Sequence, residues 1–108
     1  MNNTTENFSS IISGHTPVLV DFYADWCMPC RMLSPILKDL SGDMGDALRI
    51  LKVDVDKHPR VANKYGVYSV PTIILFQDGH ILWKGSGARP KEELKRIIHG
   101  AVKMKDAV

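Results

Sequence analysis

Val20-Asp21-Phe22-Tyr23-Ala24-Asp25-Trp26-Cys27-Met28-Pro29-Cys30 is the stretch that decides the fold. It lies in a β-branched and aromatic run from Val18 to Ala24, opened by Pro17, which is nearly continuous in its apolar character. Such a run reads as a strand buried on both faces. From about Cys27 to Met44 the pattern changes, and Leu33, Ile36, Leu37 and Leu40 recur at helical intervals. The two cysteines therefore stand where a buried strand hands over to a helix. Pro29 falls where a helix start has no use for its missing N–H, whereas Pro35 lies inside the helix and is expected to kink it.

Working outward, Ala47 to Val55 returns to strand character, so strand, helix and strand make a βαβ unit with a right-handed crossover. Pro59 to Tyr65 fits a short helix closed by Gly66. After Pro71 come the apolar runs Thr72–Phe76 and Ile81–Trp83, and Asp78-Gly79 between them signals a tight hairpin. Leu94, Ile97, Ile98, Ala101 and Val102 mark a final amphipathic helix, entered through Pro90 and Glu92-Glu93. Before the deciding stretch, Phe8, Ile11 and Ile12 give Thr4 to Ser13 a helical spacing, with Gly14 as its stop. The tail from Lys103 to Val108 is expected to fray. The expected architecture is α/β, a mixed central sheet flanked by helices, in a single domain over 1–108.

Composition narrows the function. The 108 residues are 44% hydrophobic and 24% charged, an ordinary globular mixture. The formal charge of +2 comes from bases scattered among acids, with no basic face for nucleic acid. No segment approaches the ~18 apolar residues of a membrane helix, and the first residues lack the basic and apolar regions of a signal peptide. A cytoplasmic, reducing location is the expectation, with a processed periplasmic or secreted form as the alternative.

Only two cysteines are present, and as a structural staple they would close a tiny loop that constrains little of the unfolded chain. Residues three apart on a helix share a face with Cβ atoms ~5–6 Å apart, within reach of a disulfide after modest adjustment. The free N–H groups and dipole of a helix start stabilise a thiolate. Cys27 is thus expected to be the more exposed and acidic thiol, and Cys30 the more buried one that acts second. A zinc half-site is the competing reading, but His15, His58, His80 and His99 stand singly, without ligand spacing; no metal is expected. Asp21 is odd in so apolar a strand, because burying an unpaired charge is expensive and a buried carboxyl holds its proton toward neutral pH. It is either a proton acceptor for Cys30 or an aspartate satisfied by backbone hydrogen bonds.

These residues resemble the active-site strand and turn of the thioredoxin family, and Pro35, Lys52, Val70-Pro71-Thr72 and Gly85-Ser86-Gly87-Ala88 fall at the family's spacing. The resemblance runs from about Pro17 onward. It implies a thioredoxin fold in which Asp21 lies beneath the cysteines, Lys52 neighbours and modulates it, and Pro71 is a cis-proline facing the pair. Lys52 read alone is equally a strand lysine snorkelling to solvent. Trp26, Met28, Pro29, Val70, Pro71, Gly87 and Ala88 would form the substrate-binding rim, with the Val70 backbone open to an extended client.

The implied activity is thiol–disulfide exchange, a protein disulfide reductase acting through a mixed disulfide. It implies disulfide-containing client proteins, no nucleic acid or membrane partner, a monomeric state, and no bound cofactor. Reducing equivalents would come from NADPH through a flavoprotein thioredoxin reductase. The alternatives are a thiol oxidase or isomerase and a non-catalytic binding module of the same fold. Three departures stand out: Met28 in place of the family's usual Gly, Tyr23 in place of Trp, and an N-terminus too short for a full first strand.

Overall fold

The structure, a computed structural model, describes residues 4–102; the expected fraying of Lys103–Val108 lies outside them. Its elements are α1 (Thr4–Ile12), β1 (Val18–Tyr23), α2 (Met28–Met44), β2 (Arg49–Asp54), α3 (Pro59–Lys64), β3 (Thr72–Gln77), β4 (His80–Ser86) and α4 (Lys91–Ala101), with a 3-10 turn at Gly45–Ala47. No strand precedes α1 among the described residues.

The four strands form one sheet in the order β2-β1-β3-β4. β1 pairs in parallel with β2 and antiparallel with β3, and β3 pairs antiparallel with β4. β1 is therefore a central strand, and Val18, Leu19, Val20, Asp21 and Phe22 are all buried, as a run apolar everywhere but at Asp21 suits. Alternation along the strands divides the core in two. Val18, Val20 and Phe22 join Phe8, Val53, Val61, Ile74 and Phe76 on one face. Leu19 joins Leu33, Leu37, Leu40, Ile73, Leu75, Leu94 and Ile98 on the other, where α2 and α4 lie.

Phe8 fixes α1 to the first face. Its ring lies 5.4 Å from Tyr65, 5.7 Å from Phe76 and 6.2 Å from Phe22, centroid to centroid, all tilted or edge-on, the geometries aromatic quadrupoles favour. The β3–β4 turn has φ of 54° at Asp78 and 79° at Gly79, the doubly positive pair that suits a two-residue hairpin to the twist of its strands. On the second face, Asp43 of α2 meets both Lys91 and Lys95 of α4 at 2.9 Å.

Candidate active site

The end of β1 and the start of α2 bring the cysteines to a surface. Cys27 caps α2 with extended backbone, φ −90° and ψ 112°, and its Sγ accepts a hydrogen bond from the Cys30 N–H at 3.2 Å. Cys27 and Cys30 are joined as a disulfide with Cα atoms 5.3 Å apart. The sulfur nearest the helix start thus receives one of the N–H groups that a helix leaves unpaired there. The expected contrast in exposure is not found. Cys27 is 4% exposed and Cys30 3%, because the bond draws both into one small cluster with Ala24, packed by Tyr23, Val55 and Val70.

Asp21 is completely buried. Two residues beyond Leu19 on the same strand, it points to the α2 side of the sheet. Neither of its carboxyl oxygens has a hydrogen-bond partner among the described residues. Burial pushes its pKa up to about 6, opposed in part by the positive charge of Lys52. A second buried aspartate makes the contrast plain: Asp54 Oδ1 accepts from the backbone N–H groups of Asp56 at 2.9 Å and Lys57 at 3.3 Å. The backbone-satisfied arrangement weighed for Asp21 is thus realised at Asp54 instead.

Lys52 is the register partner of Asp21 across the β1–β2 pair. Its ammonium nevertheless lies elsewhere, donating to Ser34 Oγ of α2 at 2.5 Å and sitting 4.7 Å from the centroid of the Tyr23 ring. The neighbour expected for Asp21 is present, and its head group snorkels to the surface.

Opposite the disulfide, the Val70–Pro71 peptide bond is cis. Pro71 is buried, Val70 packs on the cysteine cluster, and Gly87 N–H donates to the Pro71 carbonyl at 2.9 Å, which carries the Gly87–Ala88 loop to the proline. Gly87 has a φ of 88°, a backbone that favours glycine. Trp26 and Met28 are 71% and 62% exposed, and Pro29 beside them is exposed as well. Trp26 is therefore not a core residue; Nε1 donates to Asp56 Oδ2 at 3.0 Å, which holds the indole on the surface.

Three contributors escaped the sequence reading. Val55 lies against the cysteines, Asp56 anchors Trp26 and Ser34 holds Lys52. Asp56 and Ser34 were legible only as unmatched needs, an indole N–H and a strand ammonium each requiring an acceptor. Among the described residues no group of His, Cys, Asp and Glu is placed to hold a metal ion.

The thioredoxin family model matches residues 1–100. This chain belongs to the thioredoxin family. It is 43% identical to a thioredoxin of Bacillus subtilis over 96 residues, covering 89% of this chain and 91% of the relative. It is 45% identical to a thioredoxin of Listeria monocytogenes over 82 residues, 76% of this chain and 80% of that one. A solved mutant thioredoxin from Halobacterium salinarum superposes with a TM-score of 0.82 at 36% identity, covering 96% of this chain and 88% of that one. The expected fold is confirmed, and so is the activity: a thioredoxin is a thiol–disulfide oxidoreductase that reduces protein disulfides. The joined Cys27–Cys30 pair is its redox-active disulfide.

Proposed function

We propose the following division of labour. In the reduced protein, Cys27 is the thiolate that attacks a client disulfide, forming a mixed disulfide and expelling the client's second sulfur as a thiolate. Cys30 gives its proton to Asp21 and attacks Cys27 Sγ, releasing the other client sulfur and closing the Cys27–Cys30 bond. Two electrons pass to the client. Lys52 tunes Asp21 through its charge. Trp26, Met28 and Pro29 on one side, with Val70, Pro71, Gly87 and Ala88 on the other, receive an extended client segment. The Val70 backbone, which makes no hydrogen bond to other described residues, is open to strand-like pairing.

The observation that carries this reading is the fully buried carboxyl of Asp21, without a hydrogen-bond partner among the described residues, on the α2 side of the sheet, where the disulfide caps the helix. A group whose pKa is about 6 can take up and release a proton near neutrality. The reductase direction further implies clients that are disulfide-bonded proteins, a partner reductase drawing on NADPH, and a reducing compartment such as the cytoplasm. No helix among the described residues is long and apolar enough to cross a membrane.

The test is NADPH-coupled insulin reduction with a thioredoxin reductase. Cys27→Ser should abolish turnover, and Cys30→Ser should stop at a trapped mixed disulfide, visible by mass spectrometry. Turnover by Cys27→Ser, or a mixed disulfide trapped on Cys30 instead, refutes the assignment.

A further inference from the structure

The seam between α2 and β2 contains a contact that the exchange chemistry leaves without a task. Lys52 and Ser34 line two clefts along it. One, of about 340 Å³, reaches Cys30 and is bordered by Tyr23, Asp25 and Arg31. The other, of about 410 Å³, runs on past Pro35 to Ile50. The Lys52–Ser34 hydrogen bond spans the seam between them.

What that bond withholds is as telling as what it joins. Lys52 faces Asp21 across the ladder, and a lysine stem is flexible enough to bring its ammonium to a carboxylate one strand away. An ionised carboxyl buried without a partner is costly, and a nearby ammonium would compensate it wherever the gain in attraction exceeds the ammonium's own loss of hydration. Here the ammonium is held by a hydroxyl at 2.5 Å and a ring face at 4.7 Å, and the carboxyl oxygens have no hydrogen-bond partner among the described residues.

We infer that Ser34 and Tyr23 are positioning residues that tether the Lys52 ammonium at the α2–β2 seam and so keep it off the Asp21 carboxyl. The effect is to leave Asp21 feeling the charge of Lys52 without being ion-paired to it. A direct ion pair would bind the carboxylate too well for it to accept a proton from Cys30. The inference builds on the proposed role of Asp21, and the two are separable below.

The surroundings of Asp21 make Lys52 the charge that matters. Its other register partner, Ile73 of β3, is apolar. From α2 come Cys27 and Cys30, joined and not titrating. Arg31 is turned away onto the Asp25 carbonyl, at 2.9 and 3.2 Å.

The experiment follows the Asp21 carboxyl by 13C NMR across pH in the oxidised protein. Ser34→Ala and Tyr23→Leu should each lower its titration midpoint by about half a pH unit or more, because an opposite charge arriving within ~4–6 Å lowers a carboxyl by ~1–3. Tyr23→Phe keeps the ring and should leave the midpoint in place. The decisive comparison is Ser34→Ala in a Lys52→Met background, where the shift should vanish. A midpoint unmoved by Ser34→Ala, or moved equally without Lys52, overturns the tether. The pH profile of mixed-disulfide release, measured in single turnover, separates the two claims. If it tracks the midpoint, both stand; if the midpoint moves and the profile does not, the tether stands and Asp21 is not the proton acceptor.

Discussion

Replacing Asp21 by Asn should make the fold more stable, increasingly so as pH rises. In the unfolded chain an aspartate ionises near 3.8, and in the folded chain Asp21 does so at about 6. Between these values the folded state holds a proton that the unfolded state has already lost. Stability therefore falls as pH rises through this window, and the loss is complete a little above pH 6. At ~1.4 kcal/mol for each tenfold change in proton affinity, the rise from 3.8 to about 6 amounts to about 3 kcal/mol at neutral pH. About 2.5 kcal/mol of this should develop between pH 4 and pH 8. Asn is close to isosteric and does not titrate, so any fixed difference in packing or hydrogen bonding cancels when the two pH values are compared. The assay is urea unfolding of the oxidised proteins, in which the cysteines do not titrate. With a urea slope of ~1–3 kcal/mol per molar, the gap between variant and wild-type midpoints should widen by about 0.8–2.5 M from pH 4 to pH 8. A gap that does not change with pH would mean that Asp21 is not perturbed. A gap that closes would mean that its anion is stabilised in the folded state, contrary to its oxygens having no hydrogen-bond partner among the described residues.

Three further outcomes follow from packing and charge. A methyl group at Gly85 would meet the Trp83 ring at 2.5 Å and the Arg89 guanidinium at 3.0 Å, and that guanidinium is already stacked on the ring at 5.0 Å and bonded to Glu93; Gly85→Ala should cost ~1–3 kcal/mol and change indole fluorescence, and an unchanged thermal midpoint refutes it. Phe8→Ala, which opens the aromatic cluster beneath α1, should cost ~3–5 kcal/mol in denaturant unfolding, and a loss below 1 kcal/mol would show that α1 is not held by this ring. The hydrogen bonds of Lys91 and Lys95 hold the Asp43 carboxyl at about 2, so its contribution is present above the ordinary value of 3.8 and lost as pH falls through about 2. An NMR titration of Asp43 should therefore read well below 3.8 at low salt and climb in high salt; a salt-independent midpoint contradicts the exposed ion pairs.

Much of the fold was legible because local and global signals agree. The buried run of β1, the helical spacing of α2 and the Asp78-Gly79 turn each name their element without help from the rest. Boundaries were less sharp: the second strand begins at Arg49 and not Ala47, because Gly45–Ala47 forms a 3-10 turn. At the site, the cysteines and Asp21 announce themselves as residue types out of place. The cis peptide at Pro71 follows only from the family resemblance, since cis bonds are a minority even before proline. Ser34 and Asp56 were hidden because each is an unremarkable polar residue until the fold sets it beside Lys52 or Trp26. The similar burial of Cys27 and Cys30 belongs to the joined state, which spacing does not describe.

The uncovered outer side of β2 has a consequence for solubility. With no strand beyond it among the described residues, its free backbone groups could pair with those of a second copy. Antiparallel pairing centred on Lys52 would set one ammonium opposite another, a like-charge contact that disfavours the register. The lysine proposed to tune the acid thus also discourages the sheet from extending into aggregates. Neutralising it leaves an uncharged run from Ile50 to Val53 on a bare edge. Lys52→Met should therefore self-associate at lower protein concentration than the wild type, as sedimentation velocity would register.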